Sequence, residues 1–324
     1  MIAMIDLHCH LDGSLPLETV RSLAAQQGIE LPAQTPQELK SLLQVPPSCT
    51  SLTDYLRCFD LPIRVLQTPQ AIADAAESLC RELSKQGILY AELRFAPQHH
   101  TQQGHCQQEM VEAALDGLAR SGFFGQFILC CMRGDQNDAE NRETLRLTAR
   151  FLGKGVAAAD LAGAEALFPT DRYAKLFSTA RELDIPFTIH AGEAAGPESV
   201  RAALSYGAMR IGHGVRAIED PALVEELARR RIPLELCMTS NLQTQAVPSA
   251  AAFPLRRFLE AGVMATINTD NCTVSGTSLA QEYALAERTF ALTGEEIALL
   301  RRNAVNAAFL PPAQQSELLR RMPL

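Results

Sequence analysis

The chain has 324 residues, 47% of them apolar, and a formal net charge of −8. That acidic balance, with no run of Lys or Arg, argues against a nucleic-acid backbone as partner, because phosphate contacts need clustered cations, and no apolar stretch approaches the ~20 residues of a membrane helix. The opening MIAMIDLHCHLDGS lacks a charged region followed by an apolar core, and the nine cysteines form no C-x-x-C pair, so a cytoplasmic protein without a disulfide framework is expected.

In chain order, short apolar runs alternate with helical patterns. The first run, residues 4–10 (MIDLHCH), is followed by a helix and then by 32–69, a Pro-, Thr- and Ser-rich stretch that breaks the alternation. We read this stretch as an insertion of short helical pieces after the first strand, placed to form part of a lid. In 68–87, Ile72, Ala75, Ala76, Leu79 and Leu83 share one helix face, with Pro69 near its start and Gly87 at its end. Further strands are expected at 88–97, 125–133, 155–163, 186–193, 209–214, 233–241 and 263–271, with helical patterns at 138–155, 170–185 and 220–232. The chain after Gly276 reads as helical and should close the structure. Eight strands alternating with helices specify an α/β fold, a (β/α)8 TIM-type barrel in one domain over 1–324, with an inserted helical segment after strand 1.

The chemistry gathers where strands end. These ends read His8-Cys9-His10, His190-Ala191-Gly192-Glu193, His213-Gly214 and Asp270-Asn271, and a barrel brings the C-terminal ends of all its strands to one face. His8 and His10 are two apart, so their imidazoles point to the same side. Such a pair fills an apolar core poorly but begins a metal site. With His190 and Asp270 it gives three nitrogens and one oxygen, a set that suits zinc and leaves a position for water. Zinc brings the pKa of bound water toward ~7. Glu193, three residues after His190, is the candidate general acid or base. His213, between two glycines, is placed to orient the hydroxide, with a fifth metal ligand as the other reading. His99, His100 and His105 share one polar loop and are expected to be mainly solvated, with His99 and His100 nearest the mouth of the site.

The stretches LHCHLDGS, AELRFAP, DLAGAE, TIHAGE, IGHG, MTSNLQT and INTDN followed by SGTSLAQEY run in this order from residue 5 to about 283. Together they resemble the motifs of the adenosine deaminase family within the amidohydrolase superfamily, its bacterial members in particular. The resemblance implies one zinc ion per chain, held by His8, His10, His190 and Asp270. Glu193 would protonate N1 of the purine and His213 would hold the attacking hydroxide. Gly163 would offer its N–H to N3, Asp12 would bind the ribose and Asn271 would contact N7. His10 also counts among the substrate contacts and Asp270 among the catalytic groups. The implied reaction is attack of zinc-bound hydroxide on C6 of adenosine or 2′-deoxyadenosine, then loss of ammonia to leave the inosine product, a step of purine metabolism. Asn271, Cys272, Met238 and Ala164 depart from frequent family residues; the Asn271 amide can still donate to N7 directly.

Other classes fit less well. The zinc deaminases built on H-x-E with P-C-x-x-C require a cysteine pair that this chain lacks. Binuclear amidohydrolases need a bridging lysine or carboxylate near the fourth strand, which here ends Asp160-Leu161-Ala162-Gly163, without lysine. An adenine deaminase shares most of the motifs and remains the alternative. A non-catalytic purine-binding barrel would not need His8, His10, His190, Glu193 and Asp270 together. The expected partner is a small purine nucleoside, with no nucleic acid and no membrane.

Overall fold

Strand β1 (Met4–His10) is buried along its length, Asp6 and His8 included, and only His10 at its end is partly exposed, as expected of a strand covered on both faces. The computed structural model to which it belongs describes residues 4–322, so residues 1–3 and 323–324 of the expected domain lie outside the described residues. After β1 come α1 (Leu17–Gln26), α2 (Pro36–Leu43), α3 (Leu52–Leu56), α4 (Asp60–Val65) and α5 (Pro69–Lys85). The alternation then runs β2 (Ile88–Phe95), α6 (Gln107–Ser121), β3 (Gly125–Met132), α7 (Asp138–Phe151), β4 (Val156–Ala162), α8 (Ala174–Glu182), β5 (Thr188–Ala191), α9 (Pro197–Tyr206), β6 (Arg210–His213), α10 (Pro221–Arg230) and β7 (Leu234–Leu236). It ends with α11 (Met238–Gln243), α12 (Leu255–Glu260), β8 (Ala265–Ile267), α13 (Leu279–Phe290), α14 (Gly294–Ala307) and α15 (Pro312–Arg321).

Local chemistry sets these boundaries. Thr68 caps α5 by accepting the Ala71 N–H, and Ile72, Ala75, Ala76, Leu79 and Leu83 are buried on its inner face. Thr35 and Glu38 form a reciprocal capping box at the start of α2, which gives a helix of 8 residues a defined beginning.

The strands form two parallel four-stranded sheets, β1-β2-β3-β4 and β5-β6-β7-β8. Isolated bridges join their edges: Ala159 pairs with Phe187 between β4 and β5, and Cys9 pairs with Asp270 between β1 and the chain leaving β8. Helix α14 packs on both β1 and β8. The strands stop short of the expected ends. β7 covers only Leu234–Leu236, and Met238–Gln243 is helix where the sequence suggested continued strand. Ser240 and Asn241 there sit in a helical turn, with the Asn241 N–H returning to the Cys237 carbonyl at 3.0 Å.

The barrel interior is charged below its open end. Arg94 and Arg210 are among its largest fully buried side chains. Arg94 donates to Asp160 and Glu235, each at 2.9 Å, and to the Leu7 carbonyl at 2.5 Å. Arg210 donates to Glu235 at 2.7 Å and to Glu92 at 2.5 Å. Burial by itself would raise the Asp160 and Glu235 carboxyls; the guanidiniums and imidazoles against them hold both well below the usual range.

Candidate active site

At the C-terminal ends of the strands lies a cavity of about 290 Å³, close to the lower end of small-molecule sites. His10, Asp12, Gly163, His190, Glu193, His213, Asp270 and Asn271 all line it. His8, fully buried, lies beside them, its ring centroid 4.6 Å from that of His190 and 4.9 Å from that of His213.

Strand ends position these groups. Asp270 and His213 both hold left-handed backbone, at φ 62° and 60°, a strained conformation that concentrates at functional positions. Gly212 gives the rings room, since a Cβ there would come within 3.2 Å of His8 Cε1. At Gly13 a Cβ would come within 1.8 Å of Asn271 Oδ1, so the turn after β1 must approach Asn271 without a side chain.

His8, His190, His213 and Asp270 each bring one ligand atom to within 4.8 Å of the others. His10 Nε2 adjoins that group, 3.2 Å from His190 Nε2 and 3.4 Å from Asp270 Oδ1. His8 Nε2 is buried without a hydrogen-bond partner and lies 3.5 Å from Asp270 Oδ1. Electron pairs converging in this way repel one another unless a cation lies between them. Two of the rings are backed by carboxylates: His8 Nδ1 lies 2.8 Å from Glu235 Oε2, and His190 Nδ1 lies 2.9 Å from Asp160 Oδ2. A carboxylate only accepts, so the proton sits on Nδ1 and the Nε2 lone pair faces inward, as a metal ligand requires. Burial holds the His10 and His190 imidazoles below their usual range, in the neutral form. The donor set therefore fits a metal ion.

Glu193 is buried beside this group, and burial pushes its carboxyl above the usual range. Asn241 Nδ2 donates to Glu193 Oε1 at 3.1 Å and lies 3.0 Å from His213 Nδ1; Thr244 Oγ1 donates to the same Glu193 oxygen at 3.2 Å. An amide NH2 can only donate, so His213 Nδ1 accepts and its proton sits on Nε2, 3.7 Å from Glu193 Oε2. Asp12 caps its own turn by accepting the Gly13 N–H at 3.1 Å while also lining the cavity. Burial pushes its carboxyl up to about 6.

The insertion supplies the outer wall, with Leu52, Tyr55, Leu56, Phe59 and Ile63 facing the cavity. Tyr55 shares a 2.6 Å hydrogen bond with Ser275 Oγ and so ties the wall to the loop after β8.

Residues 4–323 match the family model described as Adenosine deaminase. An adenosine deaminase from Haemophilus ducreyi is 48% identical over 324 residues, covering 98% of this chain and 94% of that protein. The chain belongs to the adenosine deaminase family. Among solved structures, an adenine deaminase from Arthrobacter aurescens superposes with a TM-score of 0.87 at 27% identity, covering 98% of this chain and 97% of that one. An N6-mAMP deaminase from Arabidopsis gives 0.86 at 25% identity, with coverage of 98% and 97%. The buried His and Asp cluster is compatible with the metal-dependent chemistry of this family.

The sequence singled out the residues at the strand ends but not those behind them. Arg94, Asp160 and Glu235 sit inside largely apolar strands; Arg94 and Asp160 even fall within the AELRFAP and DLAGAE stretches, yet nothing in the sequence gave any of the three a role. Asn241 was hidden because its stretch read as strand. Of the three loop histidines, His100 departs from expectation. His100 is fully buried against Phe95 rather than solvated, His99 is half-buried and lines the cavity, and His105 lies 3.5 Å from Glu109 near the surface. The loop folds back onto the barrel, so its polar composition does not report exposure.

Proposed function

We propose that this chain hydrolyses adenosine, and 2′-deoxyadenosine, to the corresponding inosine and ammonia at a centre holding one zinc ion. The observation that carries this reading is the convergence of His8, His190, His213 and Asp270 beside Glu193 in one cavity. His8, His10, His190 and Asp270 would hold the ion, with His213 adjoining. When bound, zinc supplies Lewis acidity that brings the pKa of water toward ~7.

The chain's own groups do the rest. Glu193, whose carboxyl burial raises above its usual range, gives a proton to N1 and so makes C6 electron-poor. The His213 Nε2–H donates to the oxygen that adds at C6 and aims it. Gly163 offers its N–H to N3 and Asn271 its amide to N7, which fixes the purine plane, while Asp12 accepts from the ribose hydroxyls. The oxygen of water adds at C6 as one of its protons passes to the leaving amino group and the other restores to Glu193 the proton it gave to N1; the C6–N bond then breaks, C6=O forms and ammonia leaves.

The cavity favours a nucleoside over a nucleotide. Among the described residues lining it, Arg133 is the one Lys or Arg. Its Nη donors are engaged by the Phe168 carbonyl at 2.7 Å, Thr170 Oγ1 at 2.9 Å and the His190 carbonyl at 2.6 Å, and its Nε is buried, so no Nη fork is turned toward a phosphate. A second reading, adenine as substrate, is favoured by the likeness to the Arthrobacter adenine deaminase.

Absorbance assays with adenosine, adenine and adenosine 5′-monophosphate in parallel test this. Adenosine should be preferred by a wide margin, in protein holding about one zinc per chain. His8→Ala should lose most of the metal along with turnover. Asp12→Ala should lower kcat/KM for adenosine ~10-fold while leaving trace activity on adenine unchanged. Faster turnover of adenine would overturn the nucleoside reading.

A further inference from the structure

Glu165 follows β4 in the DLAGAE stretch and is almost fully buried. Its two oxygens accept four consecutive backbone N–H groups from the chain leaving β5. Gly192 reaches Oε1 at 2.8 Å, while Glu193, Ala194 and Ala195 reach Oε2 at 3.1, 2.7 and 2.9 Å. Ser199 Oγ adds a fifth donor, to Oε1 at 2.5 Å. The direct partners of Glu165 are amides and one hydroxyl, while Arg133 and Arg216 act on its charge electrostatically from further away. A buried carboxylate is costly unless so compensated, and here every direct hydrogen bond comes from the segment that carries Glu193 and the first turn after it.

The carbonyls of the same segment are also held. The His190 carbonyl accepts Arg133 Nη2 at 2.6 Å. The Gly192 carbonyl accepts the Arg216 N–H at 2.9 Å, and the Ala194 carbonyl accepts Arg216 Nη1 at 3.2 Å. Arg133 also donates to Thr170 Oγ1 at 2.9 Å, which lies 2.6 Å from Ser199 Oγ. Arg133 can only donate, and the Ser199 proton goes to Glu165. Thr170 must therefore donate to Ser199, and the hydrogen bonds run in one sense from guanidinium to carboxylate, each polarising the next.

The Glu193 side chain meets Asn241, Thr244 and His213; what Glu165 holds is the backbone from which that side chain extends. We infer that Glu165 is a positioning residue for Glu193, fixing residues 192–195 so that the acid is aimed at the purine ring nitrogen. The inference rests on the reading of Glu193 as proton donor. A misplacement of about an ångström in such a group costs up to ~100-fold in rate, so four hydrogen bonds on the supporting backbone bear directly on turnover.

Glu165→Gln keeps the shape but replaces one accepting oxygen by a donor that faces other donors. In metal-loaded protein, kcat for adenosine should fall at least ~10-fold while KM changes less than ~3-fold. Deuterium exchange at the amides of 192–195 should accelerate at least ~10-fold, with β3 unchanged. The deciding measurement is a double-variant cycle: in the Glu193→Gln background, Glu165→Gln should lower kcat by less than ~2-fold, because the aim of a group that no longer transfers protons is immaterial. Should Glu165→Gln fail to fold, Ser199→Ala removes one donor from the carboxylate and must show the same non-additivity with a smaller loss. Losses that multiply, or an unchanged kcat in the single variant, overturn the inference while leaving the proposed reaction intact. Normal adenosine turnover by Glu193→Gln alone would overturn the proton-donor reading and the inference with it.

Discussion

The floor of the cavity is held by charge and its outer wall by apolar contact. Below, Arg94 and Arg210 join Glu92, Asp160 and Glu235 across the barrel interior, and two of those carboxylates orient His8 and His190. Above, Leu52, Tyr55, Phe59 and Ile63 come from an insertion whose helices α3 and α4 have only 5 and 6 residues. Helices that short have no stability of their own, so the wall stands where its contacts with the barrel put it. The groups that would do chemistry are built on strands fixed by a buried ionic lattice, and the groups that would grip the substrate are built on a segment able to yield.

Removing a charge from the floor should have the largest effect. Arg94→Met leaves Asp160 and Glu235 buried without their shared cation, and chemical denaturation should show a loss of about 3–5 kcal/mol. A loss under about 1 kcal/mol would mean that the floor is not held by charge. Next comes Glu193→Gln, for which kcat should fall at least ~100-fold with metal content unchanged. Near-normal turnover there would move the acid role to another group. On the wall, Phe59→Ala removes apolar contact without touching the reacting atoms, so KM for adenosine should rise ~10-fold with kcat within ~2-fold. A loss confined to kcat would show that the wall takes part in the chemistry.

The smallest effect lies at the junction of the two regions. His100 packs on Phe95 of the barrel and meets the Leu66 backbone at the end of the insertion. Burial, and secondarily the neighbouring His99, push its imidazole down to about 3 from 6.5. The folded chain thus keeps His100 neutral, whereas the unfolded chain protonates it below about 6.5. Its contribution to stability is complete above that pH and is lost as pH falls toward 3, by at most about 1.4 kcal/mol per pH unit. In denaturation between pH 6.5 and 5 the wild type should lose stability more steeply than His100→Gln, by at most about 1.4 kcal/mol per pH unit, because the other buried imidazoles contribute to both. Identical slopes would mean that the group titrates normally.

The sequence carried most of the strand ends because a histidine or aspartate closing an apolar run has no ordinary structural use. It carried the insertion because Pro, Thr and Ser interrupt the alternation there. Asp160 and Glu235 escaped as site residues because their partners, His190 and His8, lie on other strands and no local spacing records the pairing. Residues 238–241, the first part of the Met238–Gln243 helix, read as strand because periodicity over so few residues cannot separate a short helix from an extended run. His100 was misjudged because composition describes a loop but not what the loop folds against.

The bridge between Cys9 and Asp270 ties the centre to the topology of the ring. The His10 N–H donates to the Asp270 carbonyl at 2.7 Å, and the Asp270 N–H donates to the His8 carbonyl at 2.7 Å. The peptide groups that fasten the beginning of the chain to a strand near its end thus belong to the residues whose side chains would grasp the ion. Nucleating this clasp means bringing together segments separated by most of the polypeptide, the slowest kind of encounter in folding. The affinity of the ion is correspondingly a measure of ring closure, since any opening of the joint between first and last strands pulls apart the same ligands.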